Sequence, residues 1–247
     1  MLMSCLGNGK TTITNAAKEP EIKDLQNFLN KMGAKITGAG SSIIEIEGVK
    51  KLKEISYNIM PDRIEAGTFL CLSAITNSNL KIQNVVSSDI TPLIDKLEES
   101  GCKLKIDKNQ IEIFAPKRLK SVNIKTMPYP GFPTDMQSII ASMLTISKGT
   151  SVIVENVFEN RYKYTQELIR MGAKIIIDGR TAIIKGVRKL SGANVEATDL
   201  RGGAALIIAG LSAKGVTTVD KAENILRGYE NIDKKLKLIG ANIDFIE

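Results

Sequence analysis

Hydrophobic and polar residues along this chain fall into a phrase that returns four times. An amphipathic run with apolar residues at helical spacing ends in a glycine followed by a small residue, and a β-rich stretch comes next. The copies are FLNKMGAKITG, IDKLEESGCKLKI, LIRMGAKIIID and LKLIGANIDFI, and their glycines, Gly33, Gly101, Gly172 and Gly240, stand 68, 71 and 68 residues apart. A glycine just past a helix can take the left-handed conformation that satisfies the last carbonyls while a strand begins. The spacing is too regular for chance and too long for an ordinary solenoid, so it predicts one duplicated α/β unit.

The rest of each unit recurs as well. NGKTTITNA, NSNLKIQNV, SKGTSVIVENV and AKGVTTVDKAE each place a polar turn before a short β-branched strand, and helices over 62–76, 135–146 and 200–211 precede the last three. A full unit therefore reads helix, strand, helix, strand and often one more strand. The first unit keeps only Met1 to Leu6 where a long helix belongs, and the last is predicted to close on a single strand over 241–247. That pattern predicts a chain cut from something longer, or one whose missing pieces come from elsewhere.

Composition narrows the function classes without choosing one. A chain of 247 residues, 43% hydrophobic and 25% charged, can bury one or two ordinary cores. It holds no apolar run of the ~18 to 20 residues that spans a bilayer and no secretory leader pattern, so a cytoplasmic protein away from membranes is expected. Cys5, Cys71 and Cys102 are odd in number and lack paired spacing, against a disulfide framework or a zinc site. Cys102 takes the slot held by Ala34, Ala173 and Ala241 in the other units and reads as a small core residue.

The net charge of +7 comes from lysines spread over helix faces and turns, with only 4% aromatic residues to stack on bases. Nucleic acid is therefore not an expected partner, whereas attraction of a small phosphorylated anion is. The chain has no histidine, which leaves Asp, Glu, Lys, Arg and Cys as acids, bases and anion clamps. SCLGNGKT at Ser4 to Thr11 nearly matches a phosphate-binding loop, but Thr11 to Thr14 read as strand, and such a loop must open a helix.

Chemistry concentrates in the stretches that do not repeat. PYPGFPTDMQ, from Pro128 to Gln137, is a stiff loop presenting Asp135 at a helix start, where Thr134 or Asp135 can also serve simply as a cap. FENR at 158–161, DLRGG at 199–203 and RGYE at 227–230 lie at or near the internal junctions of units. A lone arginine in such a place is usually a surface ion pair. Arginines from separate loops can also converge to clamp carboxylate or phosphate groups.

With these motifs the chain resembles the UDP-N-acetylglucosamine 1-carboxyvinyltransferase family of enolpyruvyl transferases. The segments that match are NAAKEPEIKDLQNFLNKMGAKI, MPDRIEAGTF, YPGFPTDMQ, VFENRY, MGAKI, KLSGA, TDLRGGAALIIAG and RGYENIDKKLKLIGA. They run in order over nearly the whole chain and separate this family from the shikimate-pathway enolpyruvyl transferase. The resemblance implies inside-out α/β repeats, with sheets outside and helices buried, in two lobes that close over substrates. It implies transfer of the enolpyruvyl group of phosphoenolpyruvate to the sugar 3-hydroxyl of UDP-N-acetylglucosamine, the step that opens peptidoglycan precursor synthesis. Asp135 would be the general base, Arg227 and Arg201 would clamp phosphoenolpyruvate, Val157 and Phe158 would line the nucleotide-sugar pocket, and Arg161 and Asp199 would support it. No metal or organic cofactor is implied.

The chain departs from the family at two points. Asn224 stands where the family usually has histidine before RGYE. The family's N-terminal part, with its Lys-Asn pair and the mobile loop bearing a catalytic cysteine or aspartate, has no counterpart here. Residues 1–60 resemble the last repeat of one lobe and 61–247 resemble three repeats of the other. The expectation is a portion of the transferase, inactive alone. The alternatives are a non-catalytic nucleotide-sugar-binding or scaffold protein derived from it, and a half-protein completed by a separate N-terminal segment or a second chain.

Overall fold

The repeated glycine turns are the joints of the fold in the computed structural model, which describes residues 1–246. Gly33, Gly101, Gly172 and Gly240 all adopt φ between +91° and +102°. At each one the glycine N–H donates to the carbonyl three residues back, and the next N–H donates to the carbonyl five back. Those second acceptors are Leu29, Leu97, Leu168 and Leu236, at 3.0 Å in every copy. Each of these leucines is at most 1% exposed, so the turn that ends the helix also anchors it to the core.

By contacts the chain divides into two compact units, one comprising Met1–Pro61 with Pro128–Gly131 and the other Asp62–Met127 with the chain from Phe132 onward. The first holds α1 (Leu2–Cys5), β1 (Lys10–Thr14), α2 (Pro20–Lys31), β2 (Lys35–Thr37) and β3 (Ile43–Glu47). Its three strands form an antiparallel sheet in the order β1-β3-β2. The alternation IIEIE drives Ile44 and Ile46 into a core with Leu29, Ala34 and Ile36. Glu45 and Glu47 face out toward Lys10 and Lys35 at 2.8 and 2.7 Å. β1 is the strand expected after the lookalike phosphate loop.

The second unit begins with α3 (Arg63–Ile75), whose N-cap Asp62 accepts from the N–H groups of Ile64 and Glu65 at 2.7 and 3.0 Å. β4 (Asn79–Gln83), α4 (Thr91–Glu99), β5 (Lys103–Asp107) and β6 (Gln110–Phe114) come after it, the strands pairing in the order β4-β6-β5. Next are β7 (Ile124–Lys125), α5 (Gln137–Leu144), β8 (Thr150–Val154), α6 (Thr165–Arg170), β9 (Lys174–Asp178) and β10 (Thr181–Lys185). They build the sheet β7-β8-β10-β9, in which only β7 and β8 run parallel. β11 (Asn194–Glu196), α7 (Leu200–Ser212) and β12 (Thr218–Asp220) form the last strand pair with its helix, before α8 (Glu223–Leu226) and α9 (Ile232–Leu238).

Helices α3, α5 and α7 pack on one another at the centre of this unit. Their sequences explain it: all eight residues of α5 are buried, as are both faces of most of α3, a pattern that suits an interior helix rather than an amphipathic surface one. Small residues let the neighbours close in. A Cβ on Gly203 would stand 2.5 Å from Ile225 Cγ1 and 2.8 Å from Ala197 Cβ. The strands of this unit turn alternate residues toward the core and toward solvent, so the sheets lie outside the helices, the inside-out arrangement that the resemblance implied.

Two local expectations change. The helix read over 135–146 opens as a 3-10 turn, Thr134–Met136, before α5. The closing strand read over 241–247 is absent from residues 241–246, which run without regular structure; Glu247 lies outside the described residues. Among the described residues that segment pairs with no strand, and an alternating sequence alone does not make a strand.

Candidate functional site

Parallel pairing of β7 with β8 sets Ile124 opposite Ile153 and Lys125 opposite Val154, so the residues just beyond both strands emerge side by side. Thr126 is next after β7 and Glu155 next after β8. The Thr126 hydroxyl donates to Glu155 Oε1 at 2.7 Å, and the same oxygen accepts the N–H groups of Val157 and Phe158, both at 2.9 Å. Its other oxygen accepts from the Thr134 hydroxyl at 3.0 Å. Glu155 is 2% exposed, so this carboxylate is satisfied wholly by protein donors.

Asp135 comes next after Thr134. Its Oδ1 takes Arg161 Nη2 at 2.9 Å and its Oδ2 takes Arg201 Nη2 at 3.2 Å. The carboxylate is 41% exposed, whereas the side chains of Arg161 and Arg201 are 10% and 12% exposed. One buried and one largely buried cation thus hold an open anion at its back. Each carboxylate oxygen keeps acceptor capacity on the solvent side. Asp135 is no mere cap, because neither the 3-10 turn nor α5 has a side-chain cap.

Arg161 is fixed three ways: by Asp135, by Nε to Thr134 Oγ1 at 3.2 Å, and by its guanidinium stacked 4.4 Å from the centre of the Phe158 ring. Arg201 lies in the first turn of α7, whose N-cap Asp199 accepts from the Arg201 and Gly202 N–H groups at 3.0 and 2.8 Å. Its guanidinium lies 5.4 Å from the Tyr229 ring centre, and Tyr229 is anchored by its hydroxyl to Thr68 on α3 at 2.8 Å. Nε and Nη1 of Arg201 are buried without a hydrogen-bond partner among the described residues. Burial by itself lowers the pKa of this guanidinium, but Tyr229 and Asp135 outweigh it and the net shift is upward, so Arg201 remains a cation at every pH the protein meets.

Val157, Phe158, Arg161 and Asp199 all line one cleft of about 590 Å³. Val157 and Phe158 give it an apolar rim, 45% and 51% exposed, and the exposed Lys163 adds a cation. Glu159 and Asn160 complete the lining, so a short apolar edge meets four charged side chains, Glu159, Arg161, Lys163 and Asp199, a make-up suited to a polar ligand. Six of the seven sequence-predicted site residues therefore fall together, either in the Asp135 cluster or on the cleft beside it.

Arg227 stands apart. It is exposed at the C-terminal end of α8 and its side chain has no hydrogen bond or ion pair among the described residues. The Asn224 amide, at the usual histidine position, donates to the Ala197 carbonyl at 2.9 Å and so ties α8 to the turn that carries Asp199.

The buried tyrosines and cysteines are quiet. Burial raises Tyr164 and Tyr229, and pushes Tyr162 up to about 12. Burial likewise raises the Cys71 and Cys102 thiols, so neither serves as a thiolate. No group of three or more His, Cys, Asp or Glu side chains suited to a metal occurs among the described residues. No described helix is long and apolar enough to cross a membrane.

Sequence reading does not find Glu155, Thr134 as a relay, Tyr229 or Lys163. A signal for Glu155 exists: it is the acid that immediately follows the buried strand TSVIV. Tyr229 lies inside the RGYE motif, where the arginine is the more obvious anion ligand.

Comparison with known proteins gives the family and the fold. The family model described as EPSP synthase (3-phosphoshikimate 1-carboxyvinyltransferase) matches residues 1–236. UDP-N-acetylglucosamine 1-carboxyvinyltransferase 2 of Caldanaerobacter subterraneus subsp. tengcongensis is 57% identical over 244 residues, covering 98% of this chain and 58% of that protein. The Finegoldia magna UDP-N-acetylglucosamine 1-carboxyvinyltransferase is 51% identical over 249 residues, covering 59% of its own length. The chain thus spans a little under three fifths of the curated relatives it matches. Among solved structures, the enolpyruvyl transferase NikO from Streptomyces tendae superposes with a TM-score of 0.87 at 25% identity, over 98% of this chain and 58% of that one. EPSP synthase from Acinetobacter baumannii reaches 0.76 at 19% identity, over 100% and 60%, a likeness of fold. With the family model matching residues 1–236 and the fold shared with solved enolpyruvyl transferases, the chain belongs to the EPSP synthase (3-phosphoshikimate 1-carboxyvinyltransferase) family, the enolpyruvyl transferases.

Proposed function

We propose that this chain carries the general base and part of the substrate pocket of an enzyme that transfers the enolpyruvyl group of phosphoenolpyruvate to the sugar 3-hydroxyl of UDP-N-acetylglucosamine. The observation that carries the reading is the half-open Asp135 carboxylate, gripped from behind by Arg161 and Arg201 beside the Val157 and Phe158 cleft. Asp135 takes the proton of the sugar hydroxyl as its oxygen bonds to C2 of phosphoenolpyruvate, whose methylene carbon gains a proton. Departure of phosphate from C2 and loss of one proton from the newly formed methyl group to solvent restore the double bond.

Arg201 offsets negative charge beside the base, and the exposed Arg227 guanidinium, without a partner among the described residues, is available to a phosphate or carboxylate. Val157 and Phe158 receive the nucleotide sugar, with Arg161 and Asp199 holding that wall. Residues 1–60 are read as the last repeat of one lobe and 61–247 as three repeats of the other. The setting is cytoplasmic synthesis of peptidoglycan precursors, with no organic cofactor. The acid that protonates the methylene is assigned to none of this chain's side chains, so turnover by the chain alone should be negligible.

The test measures phosphate release with both substrates, for the chain alone and for an enzyme in which it is fused to the N-terminal segment of its Caldanaerobacter relative. Release by the fusion alone is expected. An inactive fusion that still binds UDP-N-acetylglucosamine would favour the non-catalytic binding protein, and turnover by the chain alone at roughly 1 to 1000 per second would refute its dependence on a further segment.

A further inference from the structure

Glu155 is buried, charged and uses all its contacts on the protein, yet nothing in the reaction calls on it directly. Three segments meet at its carboxylate. Thr126 comes from the end of β7, Thr134 from the loop that presents Asp135, and the N–H groups of Val157 and Phe158 from the rim of the cleft. The Thr126 hydroxyl, having donated to Glu155, accepts the Asn156 N–H at 2.8 Å and locks the turn after β8.

Direction matters in this network. A hydroxyl has one hydrogen to give. Thr134 gives its hydrogen to Glu155 Oε2, and its oxygen is thereby presented to Arg161 Nε, which donates to it at 3.2 Å. Arg161 then commits Nη2 to Asp135. Glu155 thus reaches the base through two relays and reaches the pocket wall through its own Oε1.

We propose that Glu155 is a positioning residue that sets the orientation of the Asp135–Arg161 pair and the shape of the nucleotide-sugar rim together. This rests on the reading of Asp135 as base and of Val157 and Phe158 as pocket wall. It makes one buried acid the common reference for the loop that carries Asp135 and for the 157–161 segment that carries the rim and Arg161.

The experiment measures Arg161 Nε–H by side-chain NMR in the 247-residue chain, which needs no turnover. Glu155→Ala removes the acceptor from both branches, Thr134→Val removes only the relay, and Glu155→Gln keeps the shape while turning one carboxylate oxygen into a donor that competes for Thr134 Oγ1. Arg161 Nε–H exchange should quicken about tenfold in each, the scale of one charge-assisted hydrogen bond. Titration with UDP-N-acetylglucosamine should show affinity falling about tenfold in Glu155→Ala, because the rim N–H groups lose their acceptor.

If Glu155→Ala does not fold, Glu155→Gln and Thr134→Val decide. Exchange at Arg161 as slow as in the parent in either folded variant would overturn the proposal, as would undiminished affinity in folded Glu155→Ala. A parent chain that does not bind the nucleotide sugar would count against the functional reading, while the Arg161 signal would still judge the role of Glu155.

Discussion

Asp135→Asn should cost the protein stability as well as activity. Replacing a catalytic group often stabilises a protein, because such groups are held in unfavourable settings for function. Here the neighbours dictate the opposite sign. The carboxylate accepts from two guanidiniums that are almost withdrawn from water, at 10% and 12% side-chain exposure. Asparagine can turn its oxygen to one of them, but its NH2 group then faces the other, donor against donor. Arg201 already has Nε and Nη1 without partners, so losing Asp135 would leave its guanidinium with little beyond the Tyr229 ring.

A hydrogen bond to a charged group contributes about 1.5–3 kcal/mol. Since the carboxylate itself is 41% exposed and screened by water, the low end applies, about 1.5 kcal/mol. In a unit of this size that lowers the melting temperature by about 3–6 °C. Calorimetry or circular dichroism on the parent and Asp135→Asn chains reads it directly. A melting temperature equal to or above the parent would refute the claim that the carboxylate neutralises the two arginines. In the completed enzyme the same variant should lower kcat about 10²–10⁴-fold, with KM for the nucleotide sugar changed far less.

Arg227→Ala in the completed enzyme should raise KM for phosphoenolpyruvate about tenfold, the scale of one charge-assisted contact; an unchanged KM would remove it from the anion site. Leu97→Ala, at one of the four buried leucines that close the helix turns, should cost about 2–5 kcal/mol in urea unfolding, and a loss below about 1 kcal/mol would show that the turn is not anchored by it. Amide exchange should be faster in β1, β2 and β3, whose core has six buried side chains among the described residues, Cys5, Leu29, Ala34, Ile36, Ile44 and Ile46, than in α3, α5 and α7; equal protection would contradict the ranking by core size.

Features that depend on neighbours along the chain were legible in the amino-acid order alone. Each glycine turn needs one residue free to take positive φ, a leucine about one turn earlier and a small residue after it, all within a few positions, so the four copies can be counted from the sequence. The apolar runs of α3 and α7 were equally legible, and resemblance supplied the names of Asp135, Arg161 and Arg201. What those residues do to one another was settled by tertiary packing. Asp199 caps α7, Asn224 braces Ala197, and residues 241–246 form no strand and pair with none among the described residues. Glu155 gains its place because β7 and β8 pair in parallel and bring Thr126 to it from 29 residues away. Periodicity records which face of an element is buried; it carries no record of register between elements, and register is what brings a buried acid within reach of two threonines and the rim of a pocket.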